Sequence, residues 1–165
     1  MKKFLLFFIF IPNILYAGSM KAIGLKGKES DVDRVIKVLM YDNYYEPDLI
    51  KVKKNETIKF VVENKGELVH EFNIATKAMH LKHQPEMMMM VEHEILLADK
   101  IDKKKMMEMS KKNPAMAHSH YNSVLLSPGE RAELIWKFSN SVDIEAACNV
   151  PGHYDVGMIA KIDNI

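Results

Sequence analysis

The run Cys148-Asn149-Val150-Pro151-Gly152-His153-Tyr154-Asp155-Val156-Gly157-Met158 places a thiol, an imidazole and a thioether close together on the chain. Four residues separate Cys148 from His153, and four more separate His153 from Met158. Joined by a second histidine, these side chains make a trigonal set of two imidazoles and one thiolate with a weak axial thioether. Such a set suits copper engaged in electron transfer. Pro151-Gly152 supplies a turn that swings His153 back beside Cys148. A nucleophilic Cys–His pair would use the same residue types, but it needs an exposed thiol beside a base and an oxyanion hole. Cys148 instead closes an alternating run, Val142, Ile144, Ala146, Cys148, whose apolar parity points it inward. No catalytic residue is expected. The chain has one cysteine. That excludes an internal disulfide, the zinc and iron–sulfur patterns built on two or four cysteines, and a binuclear copper centre built on two.

The second imidazole must come from an earlier strand. His70 shares parity with Leu68, Phe72 and Ile74, while Glu71 and Asn73 take the other face. Similar alternation marks Ile36, Val38, Met40; Ile50, Val52; Ile58, Phe60, Val62; Ala132, Leu134, Trp136, Phe138; and Met158, Ala160, Ile162. Period two is the signature of strands with one buried face. The breaks Asn55-Glu56, Asn64-Lys65-Gly66, Ser127-Pro128-Gly129-Glu130 and Ser139-Asn140-Ser141 carry turn chemistry. Seven or so short strands separated this way predict an all-β, two-sheet sandwich. His70 and Cys148, both inward at strand ends, are expected to meet at one end of it.

Between about Lys77 and Asn122 the alternation stops. Gln84-Pro85-Glu86 reads as a helix start, residues 86–112 are rich in helix formers, and Asn113-Pro114 ends the run. A helical insertion is expected here. The chain has 13 Met and seven His. Most of them fall in this insertion: Met79, Met87 to Met90, Met106, Met107, Met109 and Met116, with His80, His83, His93, His118 and His120. Thioethers select Cu(I), and imidazoles accept Cu(II) as well. One helical turn relates His83 to Met87, and His93 to Met89 and Met90. His118-Ser119-His120 forms a clip if extended. His80, His83, Met87, Met90, His93, His118 and His120 are therefore candidates for secondary copper ligands. Methionine is also an adaptable core filler, so packing or protein docking competes with that reading.

Of 165 residues, 48% are hydrophobic and 27% charged, which suffices for one domain with a real core. The formal net charge of +1 argues against a nucleic-acid partner. Lys103 to Lys105 and Lys111-Lys112 read as solvated helix faces. Residues 1–17, MKKFLLFFIFIPNILYA, have a basic start, a short apolar run and a small residue at the end. That pattern is an export signal, too short to span a membrane. Residues 18–32 read as a flexible lead-in and 33–165 as the folded domain, with 77–122 as its insertion. After cleavage no membrane attachment is expected.

From about Asp33 to Ile165 the chain resembles the cupredoxins. Tyr41-Asp42-Asn43-Tyr44-Tyr45-Glu46-Pro47, Glu67-Leu68-Val69-His70-Glu71-Phe72 and the Cys–His–Met loop come in that family's order. The resemblance implies a Greek-key sandwich with type 1 copper bound by His70, Cys148, His153 and Met158. The Met/His-rich insertion is similar to that of periplasmic copper-tolerance cupredoxins. This implies a periplasmic protein of copper tolerance that cycles between Cu(I) and Cu(II). The alternative is a soluble carrier passing electrons to a respiratory enzyme, with a redox partner protein. The sequence departs from the family pattern at Glu71, where many members carry Asn or Ser.

Overall fold

The computed structural model describes residues 20–139 and 141–165. The expected export signal lies outside these residues. Ten strands follow in order: β1 (Gly24–Lys26), β2 (Arg34–Tyr41), β3 (Tyr44–Glu46), β4 (Leu49–Val52), β5 (Thr57–Asn64), β6 (His70–Ala75), β7 (Ser123–Leu126), β8 (Arg131–Phe138), β9 (Glu145–Ala147) and β10 (Ile159–Asn164). Two helices, α1 (Lys77–Glu92) and α2 (Lys103–Ser110), lie between β6 and β7. One sheet runs β1-β8-β5-β2-β3 and the other β4-β10-β9-β6-β7. The sandwich with a helical insertion is thus as the sequence reading has it.

The alternating residues meet between the sheets. Val38, Met40, Ile50, Val52, Ile58, Phe60, Val62, Trp136 and Phe138 are all buried. Phe60 and Phe72 lie 5.3 Å apart between ring centroids. Tyr45 packs edge-on to Phe72 at 5.8 Å and donates its hydroxyl to the Glu71 carbonyl at 2.5 Å. Burial of such rings is the main driving force for closing the two layers.

The lead-in departs from expectation. From residue 20 onward it is built into the sandwich, because Ile23 is fully buried and β1 pairs with β8. The Trp136 indole donates to the Ile23 carbonyl at 3.3 Å. Gly24 has φ +143°, and a Cβ there would lie 2.3 Å from the Lys137 carbonyl oxygen. The edge closes only because that position carries no side chain.

The insertion also differs in detail. Its first helix starts at Lys77, well before Pro85, because Thr76 caps it: the Thr76 hydroxyl accepts from the Met79 N–H at 3.3 Å. It ends at Glu92, and a turn closed by the Leu96–Ile101 bridge precedes α2. Met87, Met90 and Met116 form a second apolar cluster with Val69, Ile95, Leu96 and Ile101. The outer face of β6 is covered too: Glu71 and Asn73, expected to face outward, are buried, with His83 and His118 against the Glu71 carboxylate. Met87 and Met90, expected as candidate ligands beside nearby histidines, are wholly buried in the apolar cluster. Met87→Leu conserves volume, so its expected cost is below about 1.5 kcal/mol. Urea denaturation checks this, and metal stoichiometry should not change.

Candidate metal centre

Sheet order places the candidate ligands. β9 lies between β6 and β10, paired antiparallel to both, with Asn73 opposite Ala147 and Ala147 opposite Ile159. His70 opens β6, Cys148 follows β9 directly, and Met158 immediately precedes β10. Three neighbouring strands therefore end at one edge of the sandwich. The 149–157 loop closes over that edge. Gly152 at φ +88° makes the turn, and the His153 N–H donates to the Val150 carbonyl at 2.9 Å.

His70, Cys148 and His153 converge there. His70 Nδ1 lies 3.2 Å from His153 Nδ1. Cys148 Sγ lies 3.4 Å from His153 Nδ1 and 4.0 Å from His70 Nδ1. These separations define a triangle whose centre is about 2.1 Å from each corner, close to bond lengths of about 2.0–2.1 Å to imidazole and about 2.3 Å to thiolate in comparable ions. The residues present fit a single ion bound by two imidazoles and a thiolate. Met158 is fully buried beside them: its carbonyl accepts from the Cys148 N–H at 3.2 Å, and its N–H donates to the His153 carbonyl at 3.0 Å.

Each ligand is held by a neighbour. His70 Nε2 bonds Asp42 Oδ1 at 2.8 Å, which turns Nδ1 toward Cys148. The Asp42 carboxylate also accepts from the Glu67 and Leu68 N–H groups. Burial opposes its charge, yet these bonds hold its pKa below the usual range. Gly66 makes room for this pair, since a Cβ there would lie 2.3 Å from Asp42 Oδ1 and 2.8 Å from His70 Nε2. Burial lowers the pKa of His70 despite Asp42, and burial with His70 nearby lowers that of His153. Both rings are thereby kept in the neutral form that ligates metals. Cys148 is fully buried, and its sulfur accepts from the Glu71 N–H at 3.3 Å. Burial pushes the thiol pKa up to about 12, so the proton leaves when a metal cation takes its place on the sulfur.

The insertion histidines separate. His83, His118 and His120 come together, while His80 and His93 do not join them. His80 is buried, lying against the Tyr154 ring, with its Nδ1 at 3.2 Å from Asn149 Oδ1. It thereby braces the residue after Cys148. His93 is exposed at the C-cap of α1, whereas Met90, expected as its partner, is buried. Asp42, Glu86 and Asn149 did not emerge from the sequence as site residues. The usable signals were Glu86 one turn beyond His83 and Asn149 directly after Cys148.

Fold and donor set together define a β-sandwich that gathers two imidazoles and a thiol at one end. The chain belongs to the cupredoxin family: the cupredoxin-like domain matches residues 8–101. Over 148 residues it is 38% identical to the copper-resistant cuproprotein CopI of Pseudomonas aeruginosa, covering 86% of this chain and 82% of that protein. It is 29% identical over 140 residues to the copper-resistant cuproprotein CopI of Rubrivivax gelatinosus, covering 84% and 71%. Among solved structures, auracyanin B superposes with a TM-score of 0.59 at 12% identity, covering 86% of this chain and 96% of its own. Auracyanin from Roseiflexus castenholzii gives 0.56 at 15%, covering 81% and 98%. At such identities these structures speak for the fold alone.

Proposed function

We propose that this chain is an exported, periplasmic copper-binding cupredoxin of bacterial copper resistance, with a type 1 centre held by His70, Cys148, His153 and Met158. The observation that carries the reading is the convergence of His70 Nδ1, Cys148 Sγ and His153 Nδ1 within 3.2–4.0 Å of one another. The relatives named as copper-resistant cuproproteins support the physiological part. When bound, copper supplies one-electron chemistry between Cu(I) and Cu(II), for which a trigonal thiolate–imidazole set with a weak axial thioether is suited. The protein's part is to hold the donors. Asp42 fixes the His70 ring, the Glu71 N–H steadies the Cys148 sulfur, and the sandwich excludes water from both. On this reading the chain binds copper and passes electrons but is not an enzyme, because its thiol is closed off from any substrate.

A soluble electron carrier to a respiratory enzyme is the second reading. It draws on His153, half-buried at the molecular edge, with Val156 exposed in the same loop. One experiment tests the main reading and separates the two. Cu(II) added to the purified protein should give an intense thiolate charge-transfer band, and deleting the gene should reduce growth on copper. A colourless protein overturns the type 1 centre. Unaltered copper tolerance with slowed respiration favours the carrier.

A further inference from the structure

A second cluster of donors lies under the insertion. The rings of His83, His118 and His120 form a near-equilateral triangle, with centroids 5.2, 5.1 and 5.1 Å apart. One nitrogen from each lies within 4.8 Å of the others. His83 Nε2 and His118 Nε2 are 3.3 Å apart. Glu71 Oε1 faces both, at 3.2 Å from His83 Nε2 and 2.9 Å from His118 Nε2. A second carboxylate holds the rings from outside: Glu86 Oε2 lies 3.2 Å from His83 Nδ1 and Glu86 Oε1 lies 3.0 Å from His120 Nε2. Imidazoles braced by an outer carboxylate are the usual build of a metal site.

Two further features point to a ligand. His118 has φ +45°, a left-handed backbone that side chains rarely adopt and that tends to persist at functional sites. A cavity of about 360 Å³ opens onto the cluster, lined among others by Met79, His83, Glu86 and His120, and gives an ion a way in.

We propose that His83, His118, His120 and the Glu71 carboxylate form a second metal site, selective for Cu(II). The donors are nitrogen and oxygen, without a thioether or thiolate, so the set favours a divalent ion over Cu(I). Among first-row divalent ions such a site binds Cu(II) most tightly, with Zn(II) as the chief competitor. The separations of 2.9–3.3 Å among His83, His118 and Glu71 need to widen by only a few tenths of an ångström to receive an ion at about 2.0–2.1 Å from each nitrogen, and the His120 nitrogen lies within 4.8 Å of the other two.

The two centres share Glu71. Its Oε1 faces the histidines, and its Oε2 accepts from the Asn149 side chain at 2.7 Å and the Asn149 N–H at 3.3 Å. Asn149 follows Cys148 directly, and Glu71 follows His70 directly. One buried carboxylate thus joins the new site to the backbone of two ligands of the first. The charge beside His70, out of pattern for the family, is accounted for by this second role. The second site needs no metal at Cys148, so the two assignments can fail separately.

The test is a Cu(II) titration of the whole protein, read by isothermal calorimetry and electron paramagnetic resonance. The unmodified protein should bind one equivalent more than the His118→Ala/His120→Ala double variant. The variant should keep the thiolate band. Zn(II) in large excess should compete for the additional equivalent first. His120→Gln, at a partly exposed position, serves where the double variant does not fold. It should lower the affinity of the additional equivalent at least tenfold. Equal stoichiometry and affinity in the unmodified and variant proteins overturn the second site. A difference of one equivalent without a thiolate band in either overturns the Cys148 assignment and leaves this one standing.

Discussion

Cys148→Ser should abolish the thiolate charge-transfer band completely while leaving the chain folded. The sulfur is fully buried and is the only thiol in the chain. A serine hydroxyl is close in volume and can still accept from the Glu71 N–H, so the packing cost is small. Its oxygen is a hard donor that stays protonated beside copper far more readily than a thiol does. The site then keeps two imidazoles but loses the soft anionic ligand that gives the band and selects copper over harder ions. Visible spectroscopy after Cu(II) addition checks the band. A chromosomal Cys148→Ser strain should grow on copper no better than the deletion strain. A retained band would mean that another group is the donor.

The centre was legible because its residues obey two simple regularities at once. Parity along 68–74 and 142–148 turned His70 and Cys148 to the same interior, and the short Cys–His–Met spacing confined three donors to one loop. Strand pairing was not written in the sequence, yet β9 between β6 and β10 is what brings these ends together. Parity also misled, because it assumes one wet face. β6 is buried on both sides, so Glu71 and Asn73 became interior polar residues. The insertion was read by composition and by spacing along the chain, which pair sequence neighbours but not residues from separate segments. Helix phase sends Met87 and Met90 into apolar packing and His83 toward Glu71. His118 and His120 reach His83 from a separate segment, across 35 or more residues, a contact that no local pattern encodes. Asp42 was hidden for the same reason: it acts on His70 from 28 residues away.

Glu71→Leu should cost the metal-free protein about 3–5 kcal/mol, the scale of breaking a buried ionic network from one side. The carboxylate has no solvent exposure and two oxygens fully engaged. Oε1 accepts from Asn73 Nδ2 at 3.2 Å and faces His83 and His118; Oε2 takes both Asn149 groups. Leucine fills the space but accepts nothing. The Asn149 N–H and amide then stay buried without that acceptor, and each such loss is expensive. His83 loses half of its support as well. Burial disfavours its charge, but Glu71 and Glu86 outweigh that and lift its pKa to about 10. With only Glu86 remaining, that pKa should fall, a change that NMR titration of the ring reads directly. Glu71→Gln keeps one acceptor but turns an NH2 group toward other donors, so its loss should be smaller than for leucine and still measurable. Urea denaturation at neutral pH gives both values. A leucine variant less than about 1 kcal/mol below the unmodified protein would show that the apolar cluster of Met87, Met90 and Ile95, and not this carboxylate, holds the insertion onto β6.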